Sequence, residues 1–320
     1  MWGIFSFVIA MLISLICGII IIKKLKEASF GQEIREEGPS WHKKKSGTPT
    51  MGGFIFFAGL VPAAVIILLL SQMADLTAIA VLLCAVFFGI IGFSDDYIKV
   101  IKKRNLGLTA KQKFLAQIMV SAAFSLAIYF LKGGEVLFFN KVCDWSYFII
   151  PFNILVLLAT NNAVNLTDGV DALAGSTTFF CMGYFAFAAY YMEMNAVGIV
   201  IAAVMGGVAG FLFYNRHPAK VFMGDTGSLF LGGLIGAVAC ALGLQFTVIT
   251  AGIVFFIETL SVIMQVTYFK ITHGKRIFLM TPIHHHFEKK GWSEVRIVVV
   301  ASLITIIMGI LSALYVKMCI

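Results

Sequence analysis

The stretch NNAVNLTDGVDALAG (residues 161–175) places three Asn and two Asp, with no Lys or Arg, between two apolar runs. If it is helical, Asn165, Asp168 and Asp171 share one face at spacing i, i+3, i+6. Gly169 makes a loop or a broken helix an equal alternative. Either form aims carboxylates and amides at one place. Thr167 or Asp168 can cap the following helix, but capping needs one such residue rather than five. A second acidic group, FSDDYIKV (93–100), ends an apolar run with Asp95 and Asp96 side by side. Acids at a helix C-terminus oppose its dipole, so this pair calls for a cation or a reacting group nearby. As neighbours on a helix they point about 100° apart and cannot face one spot equally.

The stretch NRHPAKVFMGDTGSLFLGG (215–233) brackets Asp225 with Gly224 and Gly227 just before an apolar run. Backbone N–H groups at such a helix start bind phosphate oxygens. The adjacent carboxylate can hold a Mg²⁺ ion bridging those oxygens, and Phe222 offers a ring face to a base. TPIHHHFEKKGW (281–292) contains His284, His285 and His286. Consecutive side chains diverge, so these three are poor ligands for one metal ion. As imidazoles beside Lys289 and Lys290 they suit a polyanion better. KKKSGTPTMGG (43–53) is cationic and rich in hydroxyls and glycine. Lys43–Lys45, like Lys99, Lys102, Lys103, Lys111 and Lys113, serve equally as topology signals or as phosphate clamps. Glu258 and Gln265 are polar groups in or next to an apolar run and are therefore functional suspects. Carboxylates, cations and glycine turns together suit Mg²⁺-assisted phosphoryl chemistry.

The elements that must position these groups are membrane spans. Of 320 residues, 60% are hydrophobic and 12% charged, and the mean hydropathy is +0.96. A soluble domain is about a quarter charged. Ten apolar segments, centred near residues 13, 61, 84, 122, 154, 181, 204, 236, 258 and 305, are each long enough for a transmembrane helix. The chain is therefore expected to be an all-α, polytopic membrane protein with a single transmembrane domain, residues 1–320. The first segment, Ile4–Ile22, reads as a retained span, because its positive cluster KKLK follows the apolar part. The alternate connections 23–50, 94–113, 161–175, 214–228 and 270–296 hold 21 of the 24 Lys and Arg, leaving Lys132, Lys141 and Lys317 for the other side. That asymmetry assigns the first set to the cytoplasm, with both termini facing outward. Five of seven Asp and all six His fall on the same side. The net charge of +8 needs no nucleic acid to explain it. The six scattered Cys support neither a zinc site nor a disulfide framework.

With these motifs in order, the chain resembles the phospho-N-acetylmuramoyl-pentapeptide transferases, a branch of the polyprenyl-phosphate phosphoglycosyl transferase superfamily. The likeness spans essentially all of the chain, and the PIHHHFE form is similar to this branch rather than to those using UDP-N-acetylglucosamine. It implies transfer from UDP-N-acetylmuramoyl-pentapeptide to undecaprenyl phosphate in the bacterial cytoplasmic membrane, giving lipid I and UMP with Mg²⁺ as cofactor. It also implies roles for residues. Asp225 is the metal ligand; Asp95 and Asp96 are the catalytic pair, with Asp95 the proposed base toward the lipid phosphate. Asn165, Asp168, Gly169 and Asp171, with Lys45, Thr50 and Phe222, resemble a nucleoside pocket. Lys99, Lys111, Asn215, Gly224, Ser228, Gln265 and His284 are the remaining polar lining, and His285 and His286 face the pentapeptide. A homodimer is the candidate assembly. A single displacement is favoured over a two-step route through a phosphorylated Asp. A sibling transferase using UDP-N-acetylglucosamine and a membrane transporter are the competing readings.

Overall fold

The computed structural model describes residues 1–27, 47–101 and 107–320. Helices dominate: α1 (Trp2–Glu27), α2 (Gly53–Ser71), α3 (Leu76–Ile101), α4 (Ala110–Lys132), α5 (Ile149–Thr167), α6 (Leu173–Tyr191), α7 (Asn195–Asn215), α8 (Gly224–Ala241), the short α9 (Thr247–Ala251), α10 (Ile253–Ile271), the short α11 (Ile283–Lys289) and α12 (Glu294–Cys319). Nine stretches among the described residues are long and apolar enough to cross a membrane: α1 to α4, Ser146–Thr167 (which contains α5), α7, α8, α10 and α12. In lipid each must satisfy its own backbone hydrogen bonds, which a helix does.

The sequence reading expected ten spans. The segment centred near residue 181 does form the 19-residue helix α6, but it is not among those nine. Ser176, Thr177 and Thr178 dilute its apolar character, and α6 can carry them because Thr177 and Thr178 are fully buried against protein. Between α4 and α5 the structure adds a β-hairpin. Strands β1 (Glu135–Phe138) and β2 (Lys141–Asp144) pair antiparallel, and Leu137 N–H donates to Gly243 O at 2.8 Å, fixing the hairpin over the end of α8.

Helix α8 is the central post, with 16 of its 18 residues buried. Its partners approach very closely. A Cβ at Gly92 of α3 would fall on the backbone carbonyl of Asp225, and one at Gly232 would meet the backbone of Asn161 in α5. Small residues let helices pack backbone against backbone where apolar burial supplies little drive between them. The same packing brings the end of α3, the start of α8 and the end of α5 together. Residues 49–53 join this end: Phe222 N–H donates to Pro49 O at 2.8 Å, and Gly52 N–H donates back to Phe222 O at 2.7 Å. Helix α4 enters through a capping box between Thr109 and Gln112, which sets its rotation.

Candidate active site

Asp95 and Asp96 lie near the C-terminal end of α3 and are each 3% exposed. As adjacent helical residues they take different partners. Asp95 Oδ2 is 2.6 Å from Lys99 Nζ, and Asp95 Oδ1 accepts from Leu108 N–H at 2.9 Å. Asp96 Oδ2 accepts from both the backbone N–H and the hydroxyl of Thr226, at 2.8 and 2.7 Å. Asp225 sits in the first turn of α8, where the helix dipole favours an anion. Its Oδ2 accepts from Lys99 Nζ and Lys113 Nζ, both at 2.9 Å. Its Oδ1 accepts from Asn165 Nδ2 at 2.8 Å, and the same nitrogen donates to Ser228 Oγ at 2.9 Å. Gly224, with φ +74°, makes the turn that starts α8 and packs beside Thr50 and Asp96.

Asp95, Asp96 and Asp225 each bring a carboxylate oxygen within 4.8 Å of the others. Three hard oxygen donors in one place are the donor set of a hard divalent cation. That two ammonium groups already sit against Asp225 shows how strongly this cluster draws positive charge.

Asp168 is the C-cap of α5, where the helix stops and the chain turns. It is partly exposed as a residue, yet burial of its carboxyl is the first cause that pushes its pKa up to about 8, followed by the charges of Asp225, Asp96 and Asp171. Because the helix ends there, Asp171 leaves the face of Asn165. Its Oδ2 accepts from Ala219 N–H at 3.1 Å and lies 3.0 Å from His217 Nδ1, while Glu294 Oε2 accepts from Asp171 N–H at 3.1 Å. Asn215 braces the same turn: its Oδ1 accepts from Ala172 N–H and its Nδ2 donates to Val221 O, both at 2.9 Å. Phe222 is partly buried between this brace and Gly224.

The three histidines take different partners, although the rings of His284 and His285 pack edge to face at 4.2 Å. His284 Nδ1 lies 3.0 Å from Glu258 Oε2, His285 Nδ1 lies 2.6 Å from Glu288 Oε2, and His286 Nδ1 accepts from Leu279 N–H at 3.1 Å. Burial and the charge of Lys290 hold His286 below the usual imidazole range. Gln265 spends its Oε1 on Ile277 N–H and Phe278 N–H, each at 3.0 Å, and so braces a loop. Lys111 is exposed; Lys113, two residues on, occupies the cluster. Lys45 lies outside the described residues. Of the residues read as clamp or suspect, the structure brings Lys113 to Asp225 and Glu258 to His284, and it adds Thr226 as the partner of Asp96. For Lys113 the signal was present, because Lys113, Gln117 and Ser121 form a polar stripe at spacing four.

A family model described as glycosyl transferase family 4 matches residues 78–243. A phospho-N-acetylmuramoyl-pentapeptide-transferase of Listeria innocua serovar 6a is 47% identical over 296 residues, covering 92% of this chain and 91% of the relative. The chain belongs to the phospho-N-acetylmuramoyl-pentapeptide-transferase family. The transferase is also similar to members from Staphylococcus carnosus, at 46% identity over 95% of this chain and 96% of the relative, and Bacillus licheniformis, at 45% over 96% of each.

Proposed function

We propose that this chain makes lipid I for peptidoglycan synthesis in the bacterial cytoplasmic membrane, transferring phospho-N-acetylmuramoyl-pentapeptide from UDP-N-acetylmuramoyl-pentapeptide to undecaprenyl phosphate and releasing UMP. The observation that carries this reading is the convergence of Asp95, Asp96, Asp225, Lys99 and Lys113 at one end of the bundle, in a chain of this family. In the full reading residues 1–320 form one domain with ten crossings, α6 included. Both termini face outward and the acidic end faces the cytoplasm, so one substrate arrives from the bilayer and the other from solution.

An oxygen of the lipid phosphate attacks the β-phosphorus of the nucleotide sugar, and the bond from that phosphorus to the bridging oxygen breaks, so UMP leaves with that oxygen. A phosphate monoester with a second pKa of about 6 is already anionic at neutral pH. The task is therefore to bring two anions together rather than to remove a proton. Lys99 and Lys113 supply fixed positive charge for that approach. Mg²⁺ held by Asp225, with Asp95 and Asp96 beside it, would supply the divalent charge that phosphoryl transfer needs. Thr226 and Leu108 hold the two α3 carboxylates in place, and Asn165 orients Asp225. Asn165, Asp168, Gly169 and Thr50 would frame the nucleoside, with its base on Phe222; the family resemblance assigns Lys45 and Asp171 to the same pocket. Ser228, Gly224 and Asn215 shape this end, and His285 and His286 lie toward the pentapeptide.

The test is UMP release by the purified protein with undecaprenyl phosphate, Mg²⁺ and either UDP-N-acetylmuramoyl-pentapeptide or UDP-N-acetylglucosamine. Release with the second nucleotide alone would assign the chain to the sibling activity. A trapped phosphate on Asp95 or Asp96 would replace the single displacement by two steps.

Asp168 makes the cation requirement depend on pH. With its pKa at about 8 it holds a proton at neutral pH, and an arriving cation must displace that proton. The Mg²⁺ concentration for half-maximal UMP release is therefore expected to fall as pH rises from about 6.5 to about 8, by at most about tenfold per unit, and to level off above. Asp168→Asn should flatten this slope; an unchanged slope would remove Asp168 from the cation's surroundings.

A further inference from the structure

Glu258 is an acid in the wall of a membrane helix that the chemistry above leaves unused. It is 3% exposed in α10. Its Oε2 accepts from the His284 backbone N–H at 3.3 Å and lies 3.0 Å from His284 Nδ1. Seven residues on, and so on the same face of α10, Gln265 holds the loop that leads into α11. Helix α10 thus fixes both the approach to His284 and the rotation of its ring. A carboxylate against Nδ1 keeps the proton on that nitrogen and leaves Nε2 with its lone pair.

His284 is 1% exposed, and its Nε2 is fully buried with no hydrogen-bond partner. That atom abuts Gly169, where an added Cβ would collide with it. Buried polar atoms are rarely left without partners, and each exception asks for a cause such as an absent ligand. A lone pair seeks a donor, and phosphate oxygens are acceptors. The sugar and peptide of the substrate also carry donors, but beside Gly169, in the turn read as the nucleoside pocket, the donors are the ribose hydroxyls and the uracil N3–H.

We propose that Glu258 is a positioning residue of the nucleotide site, holding His284 so that Nε2, beside Gly169, accepts a hydrogen bond from the bound uridine. This rests on reading the turn at residues 165–171 as the nucleoside pocket. The test is UMP binding by calorimetry, alongside ¹⁵N spectra of the labelled imidazoles assigned by His284→Asn. Glu258→Gln keeps an acceptor for Nδ1–H and should bind UMP within about threefold of the unsubstituted protein, whereas Glu258→Leu should weaken it by about tenfold. In turnover the Leu variant should raise KM for the nucleotide sugar more than it lowers kcat, and leave KM for undecaprenyl phosphate unchanged. Its His284 should lose the Nδ1–H tautomer. If that variant does not fold, Gly169→Ala, which crowds Nε2 and leaves Glu258 intact, should weaken UMP by a similar factor. Either 2′-deoxy-UMP, 3′-deoxy-UMP or N3-methyl-UMP should bind no better to the unsubstituted protein than UMP binds to the Leu variant, and which one does identifies the donor.

Equal UMP binding by the Leu variant, or a His284 in the unsubstituted protein with both nitrogens protonated, would overturn the proposal while UMP release by that protein left the proposed function standing. No UMP release and no UMP binding by the unsubstituted protein would instead remove the function, and the proposal with it.

Discussion

Asp225→Asn is expected to lower kcat for UMP release by about a thousandfold or more, the scale of losing a fixed charge aimed at a phosphoryl transition state. Asp225 is where the cluster's positive charge converges. Lys99 Nζ and Lys113 Nζ both lie 2.9 Å from one of its oxygens, and Asn165 holds the other. Asparagine at this position cannot satisfy the set. If its oxygen faces the lysines, its amide faces the amide of Asn165, donor against donor. If it turns over, the donors face two ammonium groups. On the proposed reading a divalent cation would lose one of three carboxylates as well. Breaking a buried ion pair by removing one partner costs up to about 3–5 kcal/mol. Here the stability loss should be smaller, because Lys99 retains Asp95 at 2.6 Å and the Lys113 side chain is 19% exposed. Activity and thermal melting in detergent should therefore separate, with near-complete loss of the first and a modest shift in the second. A variant within tenfold of the starting kcat and with the same Mg²⁺ dependence would contradict the role given to Asp225.

Gly92→Ala should show that a single methyl group between α3 and α8 is enough to disable the site. The new Cβ would fall on the carbonyl of Asp225 and crowd the amide of Thr226. Both are backbone atoms, so no rotamer change relieves the clash and α3 must move away from α8. Overpacking costs about 1–3 kcal/mol. The larger effect is geometric, since Asp95 and Asp96 ride on α3 and Asp225 on α8. A shift of about 1 Å between them is expected to cost about a hundredfold in kcat. Gly183→Ala is the control, because its Cβ meets only Met205 Cε at 3.8 Å and should leave turnover within about twofold. If Gly92→Ala keeps a third or more of the activity, the close packing of α3 on α8 does not set the spacing of the acids.

Much of this was legible from residue types. Apolar runs of about 20 residues gave the long helices; the Lys and Arg asymmetry assigned Asp95, Asp96 and Asp225 to one side, and the family resemblance implied that they share a site. That the three histidines would take separate partners also followed from helix geometry, but not the contact between the rings of His284 and His285. What escaped is what tertiary contacts decide. Lys111 and Lys113 look alike as charges, and only the capped start of α4 at Thr109 turns the second inward. Asn165, Asp168 and Asp171 share a face only if the helix continues, and α5 stops at Thr167. Asn215 and Gln265 look like ligand-facing amides, but backbone groups use them first. Helix α6 falls short of the other spans because Ser176, Thr177, Thr178 and three tyrosines dilute its apolar character. The hairpin at Glu135–Asp144 has four residues in each strand, too few for its alternation to stand out.

The interlock of α3 and α8 bears on how the protein feels its solvent. Cooling or stiffening a bilayer changes acyl-chain order and lateral viscosity, and peripheral helices such as α1, with 22% of its apolar window buried, take that stress directly. Helix α8 is sheltered from it, with 89% of its window enclosed by protein. Changes in fluidity should therefore govern how fast the long-chain phosphate diffuses in and the product diffuses out, while the intrinsic rate of the chemical step stays constant.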